Sequence, residues 1–193
     1  MKVVLAGPPR SGKSCLRQGL KDAMRRIPEA PYPYVITACP DGEGTWFQET
    51  VNADPKVAAE CKAAYKSKFT PEFVRRVADS VKNINLPLTL VDIGGIPSED
   101  NKKICRHATH AILLAGDTGK FPEWREFCRE LQIEVLAEIW SNYHGEADLV
   151  PQLGEDEVWR GAVHRLERGE PVHDRPTVQF LGRLLARMAM AAE

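Results

Sequence analysis

The chain has 193 residues, a formal net charge of −1 and five cysteines. This length accommodates one well-buried core and is too short for two ordinary domains, so we expect a single domain over residues 1–193. The near-zero charge excludes a global field that would draw the protein to nucleic acid or to an anionic membrane. Because the cysteines stand singly and no apolar stretch is long enough to span a bilayer, we expect a cytoplasmic protein that contacts no membrane.

Five short apolar runs alternate with helical patterns along the chain, and such runs are typical of strands buried on both faces of a parallel sheet. The expected strands are 2–6, 34–38, 88–93, 111–116 and 133–139, and the expected helices are 13–26, 55–66, 71–84, 122–131 and 176–192. This alternation predicts an α/β three-layer sandwich, with helices on both faces of a mainly parallel five-stranded sheet in a kinase-like P-loop strand order. Residues 141–175 are less regular, and WRGAVHRLERG within them could form an added strand leading into a turn.

The stretch GPPRSGKS directly follows the first predicted strand and fits the phosphate-binding pattern G-x-x-x-x-G-K-[ST]. Its two glycines let the backbone curl so that N–H groups point at the phosphates, and the helix that follows presents its positive N-terminal end to them. Lys13 is expected to reach the β- and γ-phosphates, and the Ser14 hydroxyl to bind Mg²⁺. The expected nucleotide-binding set is Gly7, Pro8, Pro9, Arg10, Ser11, Gly12, Lys13, Ser14 and Cys15.

A second nucleotide motif lies in LTLVDIGG, where an apolar run ends in an acid. Asp92 is expected to bind Mg²⁺, and Gly95 completes a D-x-x-G pattern whose last N–H can approach a γ-phosphate. Such a segment can couple the γ-phosphate to movement of residues 96–104. The alternative is a strand that ends in an ordinary turn. No [NT]-K-x-D tetrapeptide, with which GTPases read guanine, occurs in the sequence, so ATP is the expected nucleotide.

Two acids follow the second predicted strand, in ACPDGEGTW. Ligands of open α/β sheets bind outside the carboxyl ends of the strands, so Asp41 is expected on the same rim as Lys13 and Asp92, where it would orient an acceptor hydroxyl. Glu43 is the second candidate, although P-D-G is also an ordinary turn signal and Glu43 could be a solvated loop acid. Arg10 is the candidate that stabilises charge in the transition state, which makes the expected catalytic set Lys13, Asp41, Asp92 and Arg10.

Five segments together resemble one family: GPPRSGKS, ACPDGEGTWFQET, FTPEFV, LVDIGG and LERG. They look like the P-loop domain that is joined to the ring-nuclease domain in CRISPR-associated proteins of type III systems. The resemblance extends over most of the chain, implies a place near cyclic oligoadenylate signalling and carries over Gly7, Lys13, Ser14, Asp41, Glu43 and Asp92. These 193 residues contain no ring-nuclease half, which leaves open a lone protein, a cut-out domain or a subunit that meets its nuclease partner in trans.

Two functions of different classes fit these motifs. The first is a kinase-like enzyme that uses ATP and Mg²⁺ to transfer or hydrolyse the γ-phosphoryl group, with a nucleotide or an oligonucleotide end as the acceptor. The second is a nucleotide-gated regulatory module with slow ATP hydrolysis, whose readout is homo-oligomerisation or docking to a ring nuclease. A degenerate loop with a purely structural use is disfavoured because the fixed motif positions and the metal acid are intact.

Overall fold

The computed structural model describes residues 1–39 and 69–191, which form a seven-stranded sheet flanked by helices. The strands are β1 (Lys2–Ala6), β2 (Tyr34–Thr37), β3 (Thr89–Asp92), β4 (His110–Ala115), β5 (Glu134–Asn142), β6 (Leu149–Leu153) and β7 (Trp159–His164). The helices of the described residues are α1 (Lys13–Met24), α2 (Pro71–Asn83), α3 (Glu99–Cys105), α4 (Phe121–Glu130) and α5 (Pro176–Ala191), with a 3₁₀ turn at Thr118–Lys120.

The strands lie in the order β2-β3-β1-β4-β5-β7-β6, and all neighbours run parallel except β6 and β7. The expected α/β class and mainly parallel sheet are confirmed. The expected count of five strands is too low, because β7 and β6 extend the sheet beyond β5. Their sequence signal is weak since β6 is an edge strand interrupted by Pro151, and β7 carries Arg160 and Gly161 in place of a continuous apolar run.

Both faces of the sheet are covered by helices, an arrangement compatible with a three-layer sandwich. In β1, Val3 and Leu5 join the apolar cluster that contains α1 and α5, whereas Val4 and Ala6 join the cluster that contains α2, α3 and α4. Alternate residues of β1 therefore face opposite apolar layers. This is why the strand reads as a continuous apolar run.

The four expected helices that lie within the described residues, α1, α2, α4 and α5, begin within one residue of their expected positions. The hydroxyl of Thr70 caps α2 by accepting from the Phe73 amide at 3.2 Å, and Pro71 occupies its first turn. Helix α3 was not expected, since its seven residues are too few for an amphipathic pattern. The expected helix 55–66 lies outside the described residues. Within 1–39 and 69–191, no helix is long and apolar enough to cross a membrane.

Candidate functional site

The phosphate loop joins the carboxyl end of β1 to the N-terminus of α1, and its two glycines are sterically required. Gly7 has φ 145°, and a Cβ there would lie 1.9 Å from the carbonyl oxygen of Leu114 in β4. Gly12 has φ 88°, and a Cβ there would lie 2.8 Å from the Cβ of Leu166, in the segment after β7. The loop is therefore confined between β4 and residues that follow β7, which excludes a side chain at either position.

Lys13 is buried against the backbone of this loop. Its Nζ donates to the carbonyl oxygens of Gly7 and Pro8, both at 2.8 Å, and the residue is 8% exposed. A buried ammonium group needs such acceptors, because removal from water without partners is costly. These bonds fix a positive charge at the loop, which is the chemistry that a bound phosphate requires.

Asp92 lies beside the start of α1 because β3 is a direct neighbour of β1, with Asp92 in register with Leu5. Its Oδ2 accepts a hydrogen bond from Ser14 Oγ at 3.1 Å and another from Arg17 Nη1 at 3.0 Å. The structure thus brings together Ser14 and Asp92, the two expected metal-binding residues. It adds Arg17, which no motif in the sequence predicts. The signal that could have found it is its position three residues after Ser14, on the same side of α1.

The D-x-x-G segment after β3 contacts the phosphate loop. A Cβ on Gly95 would lie 2.4 Å from the backbone nitrogen of Pro9, so the two backbones are in close contact. On its other side the segment is held by Asn101 of α3, whose Nδ2 donates to the carbonyl oxygens of Gly94 at 3.2 Å and Ile96 at 2.7 Å. This segment therefore connects the phosphate loop to α3.

Other loop residues differ in exposure. Pro9 and Arg10 are exposed, and no hydrogen bond or ion pair to another described residue engages the Arg10 side chain. Ser11 is 4% exposed, and its Oγ has no hydrogen-bond partner in the part of the chain that the structure describes. Cys15 is partly buried. An exposed guanidinium and a buried, unsatisfied hydroxyl are groups that a bound anion could satisfy.

Asp41 and Glu43 lie outside the described residues, so their expected role at the rim stays a prediction. The strand before them ends beside Asp92: Thr37 is in register with Asp92, and the Ala38 amide donates to the Asp92 carbonyl oxygen at 2.8 Å. The Cys39 sulfur would lie 3.7 Å from a Cβ on Gly94. The chain at residues 38–39 therefore runs along the rim that carries Asp92.

The donor set at this rim fits a magnesium ion. A hydroxyl from Ser14 and a carboxylate from Asp92 are hard oxygen ligands, which Mg²⁺ prefers. In nucleotide sites Mg²⁺ keeps several waters and takes oxygens from the phosphates, so one or two protein groups are enough. The rim can therefore hold an anion and a hard cation side by side.

No protein-family model matches this chain, and no curated protein matches it with significance.

Proposed function

We propose that this chain is a cytoplasmic, kinase-like P-loop enzyme that uses ATP and Mg²⁺ to transfer or hydrolyse the γ-phosphoryl group. The observation that carries the proposal is the convergence of Lys13, Ser14 and Asp92 at the carboxyl ends of β1 and β3. The Lys13 ammonium lies 2.8 Å from two loop carbonyls, and Ser14 Oγ lies 3.1 Å from Asp92 Oδ2. A fixed cation beside a hydroxyl–carboxylate pair is what a magnesium-bound phosphate tail needs.

The strand order supports a ligand at β1. The chain leaves β3 on one side of β1 and enters β4 on the other side, so the order of the strands reverses at β1. In open α/β sheets, ligands bind in the crevice outside the carboxyl ends of the strands at such a reversal. The phosphate loop begins at this end of β1, between Gly95, which follows β3, and Leu114 of β4.

Each residue would have a separate part in the reaction. Magnesium bound with the nucleotide would neutralise charge on the phosphates, held by Ser14 and Asp92. Lys13 would contact the β- and γ-phosphates, and the exposed Arg10 would reach the transferring group, where charge develops. Asp41 would orient the hydroxyl of a nucleotide or oligonucleotide acceptor, with Glu43 close by.

Turnover of ATP carrying a labelled γ-phosphate tests the enzyme. The wild type is incubated with Mg²⁺ and candidate acceptors, beside Lys13→Ala, Asp92→Asn and Asp41→Ala. We expect labelled acceptor or labelled phosphate from the wild type, and losses of about 100-fold or more in the first two variants. Asp41→Ala should lose transfer while it still binds ATP. A wild type that yields neither product would rule out the enzyme. A kinase would be ruled out if no acceptor is labelled and Asp41→Ala behaves as the wild type.

A nucleotide-gated module is the second candidate, favoured by the contact between Gly95 and the Pro9 backbone. A segment packed on the phosphate loop can respond to the γ-phosphate, and Asn101 connects that segment to α3. Turnover would then be slow and independent of an acceptor. The readout would be self-association or docking to a ring nuclease in trans, and this link to type III CRISPR signalling rests on the sequence resemblance.

Light scattering separates the two candidates. The mass of the protein is measured with Mg²⁺ and a non-hydrolysable ATP analogue, then with ADP, each with and without a ring nuclease. A gated module predicts a different mass in the two nucleotides, because the γ-phosphate changes the segment that Gly95 belongs to. Equal masses under both conditions would count against the module and leave the enzyme as the remaining candidate.

A further inference from the structure

One carboxylate oxygen of Asp92 is shared by two side chains of α1. Oδ2 accepts from Ser14 Oγ at 3.1 Å and from Arg17 Nη1 at 3.0 Å. Ser14 and Arg17 are three residues apart, which places them on the same side of the helix. Arg17 Nη1 also approaches Thr37 Oγ1 at 3.5 Å, at the end of the neighbouring β2. Arg17 therefore joins α1 to the end of β3 through Asp92 and to the end of β2 through Thr37.

The Arg17–Asp92 ion pair is buried, with side chains that are 10% and 7% exposed. Charges removed from water need a partner, and the loss of one partner leaves the other uncompensated. Coulomb interactions are also stronger here than at the surface, because the effective dielectric constant is lower. Any second cation that binds Asp92 is therefore repelled by the nearby guanidinium.

We propose that Arg17 is a positioning residue that holds Asp92 in the metal-free protein and weakens the binding of Mg²⁺ until nucleotide arrives. The inference rests on the proposed nucleotide site. Arg17 supplies the positive charge that the Asp92 carboxylate needs when no metal is bound. The phosphates of a nucleotide supply the additional negative charge that a divalent cation needs beside Arg17. Magnesium entry thus depends on nucleotide.

Thermal unfolding of the wild type, Arg17→Met and Arg17→Lys tests this dependence, in EDTA and along a Mg²⁺ series with and without ATP. Arg17→Met should unfold at a lower temperature in EDTA, because the carboxylate has lost the charge of Arg17. Added Mg²⁺ should reduce this deficit even without ATP, with a half-saturating concentration at least roughly tenfold below that of the wild type. Arg17→Lys keeps the charge, so its Mg²⁺ dependence should stay within about twofold of the wild type.

Arg160→Met is the matched control. Arg160 also pairs with a buried carboxylate, that of Glu138 at 3.1 Å, but the pair joins β5 and β7, two and three strands away from β1. The unfolding temperature of Arg160→Met should lie below that of the wild type by the same amount at every Mg²⁺ concentration.

Three results would overturn the inference. In the first, the unfolding temperature of Arg17→Met lies below that of the wild type by the same amount at every Mg²⁺ concentration, while Mg²⁺ with ATP raises the unfolding temperature of the wild type. Arg17 is then only structural, and the proposed function stands. If no protein responds to Mg²⁺ with ATP, the proposed function is overturned and the inference falls with it. If Arg17→Met does not fold, Arg17→Lys decides: a tenfold shift in its Mg²⁺ dependence would contradict a role for the charge.

Discussion

At the scale of single residues, the phosphate loop holds one non-glycine residue in a conformation that favours glycine. Arg10 has φ 61°, within the left-handed region. This conformation costs a residue with a Cβ about 1–2 kcal/mol. Arg10 is exposed, so burial of its side chain does not account for an arginine there. Backbone strain of this kind clusters at functional sites.

We expect Arg10→Gly to stabilise the fold and to impair turnover. The free energy of unfolding should rise by about 1 kcal/mol, because glycine adopts this φ without a steric penalty. ATP turnover should fall by about 100-fold, because Arg10 is the cation that we propose acts near the transferring group. Urea unfolding and a phosphate-release assay measure the two effects.

Glu157→Gly is the matched control, because Glu157 is also exposed and has the same φ of 61° in the turn between β6 and β7. It should gain stability with turnover unchanged. If Arg10→Gly turns over ATP as fast as the wild type, Arg10 is an ordinary solvated loop residue.

At the scale of elements, the segment after β3 is packed directly on the phosphate loop. The contact is between backbones, since a Cβ on Gly95 would lie 2.4 Å from the nitrogen and 2.7 Å from the Cα of Pro9. Backbone atoms cannot rotate away as a flexible side chain does. A side chain at residue 95 would therefore separate two elements of the candidate site.

Gly95→Ala should weaken the binding of an ATP analogue. We expect a loss of about tenfold to 100-fold, because displacements of about 1 Å have effects of this size in positioned sites. Gly116→Ala is the control: it also follows a strand at the same edge of the sheet, but among the described residues the nearest contact of its Cβ would be Ser141 O, at an ordinary 3.6 Å. Calorimetric titration measures both affinities, and equal affinities would mean that the loop tolerates the displacement.

Two buried thiols, on α3 and α4, make stability sensitive to alkaline pH. Burial raises the pKa of the Cys128 thiol to about 12, and burial together with the nearby Cys128 raises the pKa of Cys105 well above its ordinary value. In the unfolded chain both thiols have their ordinary pKa of 9.0, whereas the folded protein keeps them protonated at that pH. The contribution of the two thiols to stability is therefore fully present below about pH 9. It is lost as the pH rises from there towards the pKa values of the folded protein.

We expect the free energy of unfolding of the wild type to fall between about pH 9 and pH 11, by about 1.4 kcal/mol per pH unit for each thiol that the folded protein keeps protonated. The double variant Cys105→Ala/Cys128→Ala should show a flatter pH dependence over the same range. Urea unfolding at a series of pH values measures both slopes. Parallel slopes would show that other groups control alkaline unfolding.

At the scale of the whole molecule, a charged cluster connects β5 to β7, which forms an antiparallel pair with β6 at the edge of the sheet. Glu138 of β5 is 3% exposed and pairs with Arg125 of α4 and with Arg160 of β7. Arg160 pairs in turn with Asp156, in the turn that precedes β7. The two strands that extend the sheet are therefore joined to the rest by charge as well as by backbone hydrogen bonds.

Glu138→Ala should lower the free energy of unfolding by about 2 kcal/mol without a change in ATP affinity. This is less than the full cost of a broken buried pair, because the guanidiniums left behind are 48% and 40% exposed and can be hydrated. Glu126→Ala, which removes an exposed pair with Arg129, should lower it by less than about 0.5 kcal/mol. Urea unfolding compares them, and equal effects would show that the cluster contributes no more than a surface pair.

Local patterns predicted the central strands but not the full width of the sheet. Strands β1, β3 and β4 are buried on both faces, so each reads as an apolar run that needs no knowledge of its neighbours. The edge strand β6 exposes Leu149, Val150 and Leu153, and β7 carries a charged residue whose partners come from other elements. Their pairing depends on register across the sheet, which a short pattern does not encode.

The sequence by itself determined where the G-x-x-x-x-G-K-[ST] loop and the candidate acid Asp92 lie, because Gly7, Gly12 and Lys13 belong to one short stretch of backbone and Asp92 directly ends an apolar strand. Only the tertiary structure decided that Arg17 shares that acid, since the two residues are 75 positions apart. It also decided that Leu114 and Leu166 close around the two glycines. Such contacts depend on which strands become neighbours, and strand order is set by the packing of the whole sheet rather than by any local pattern.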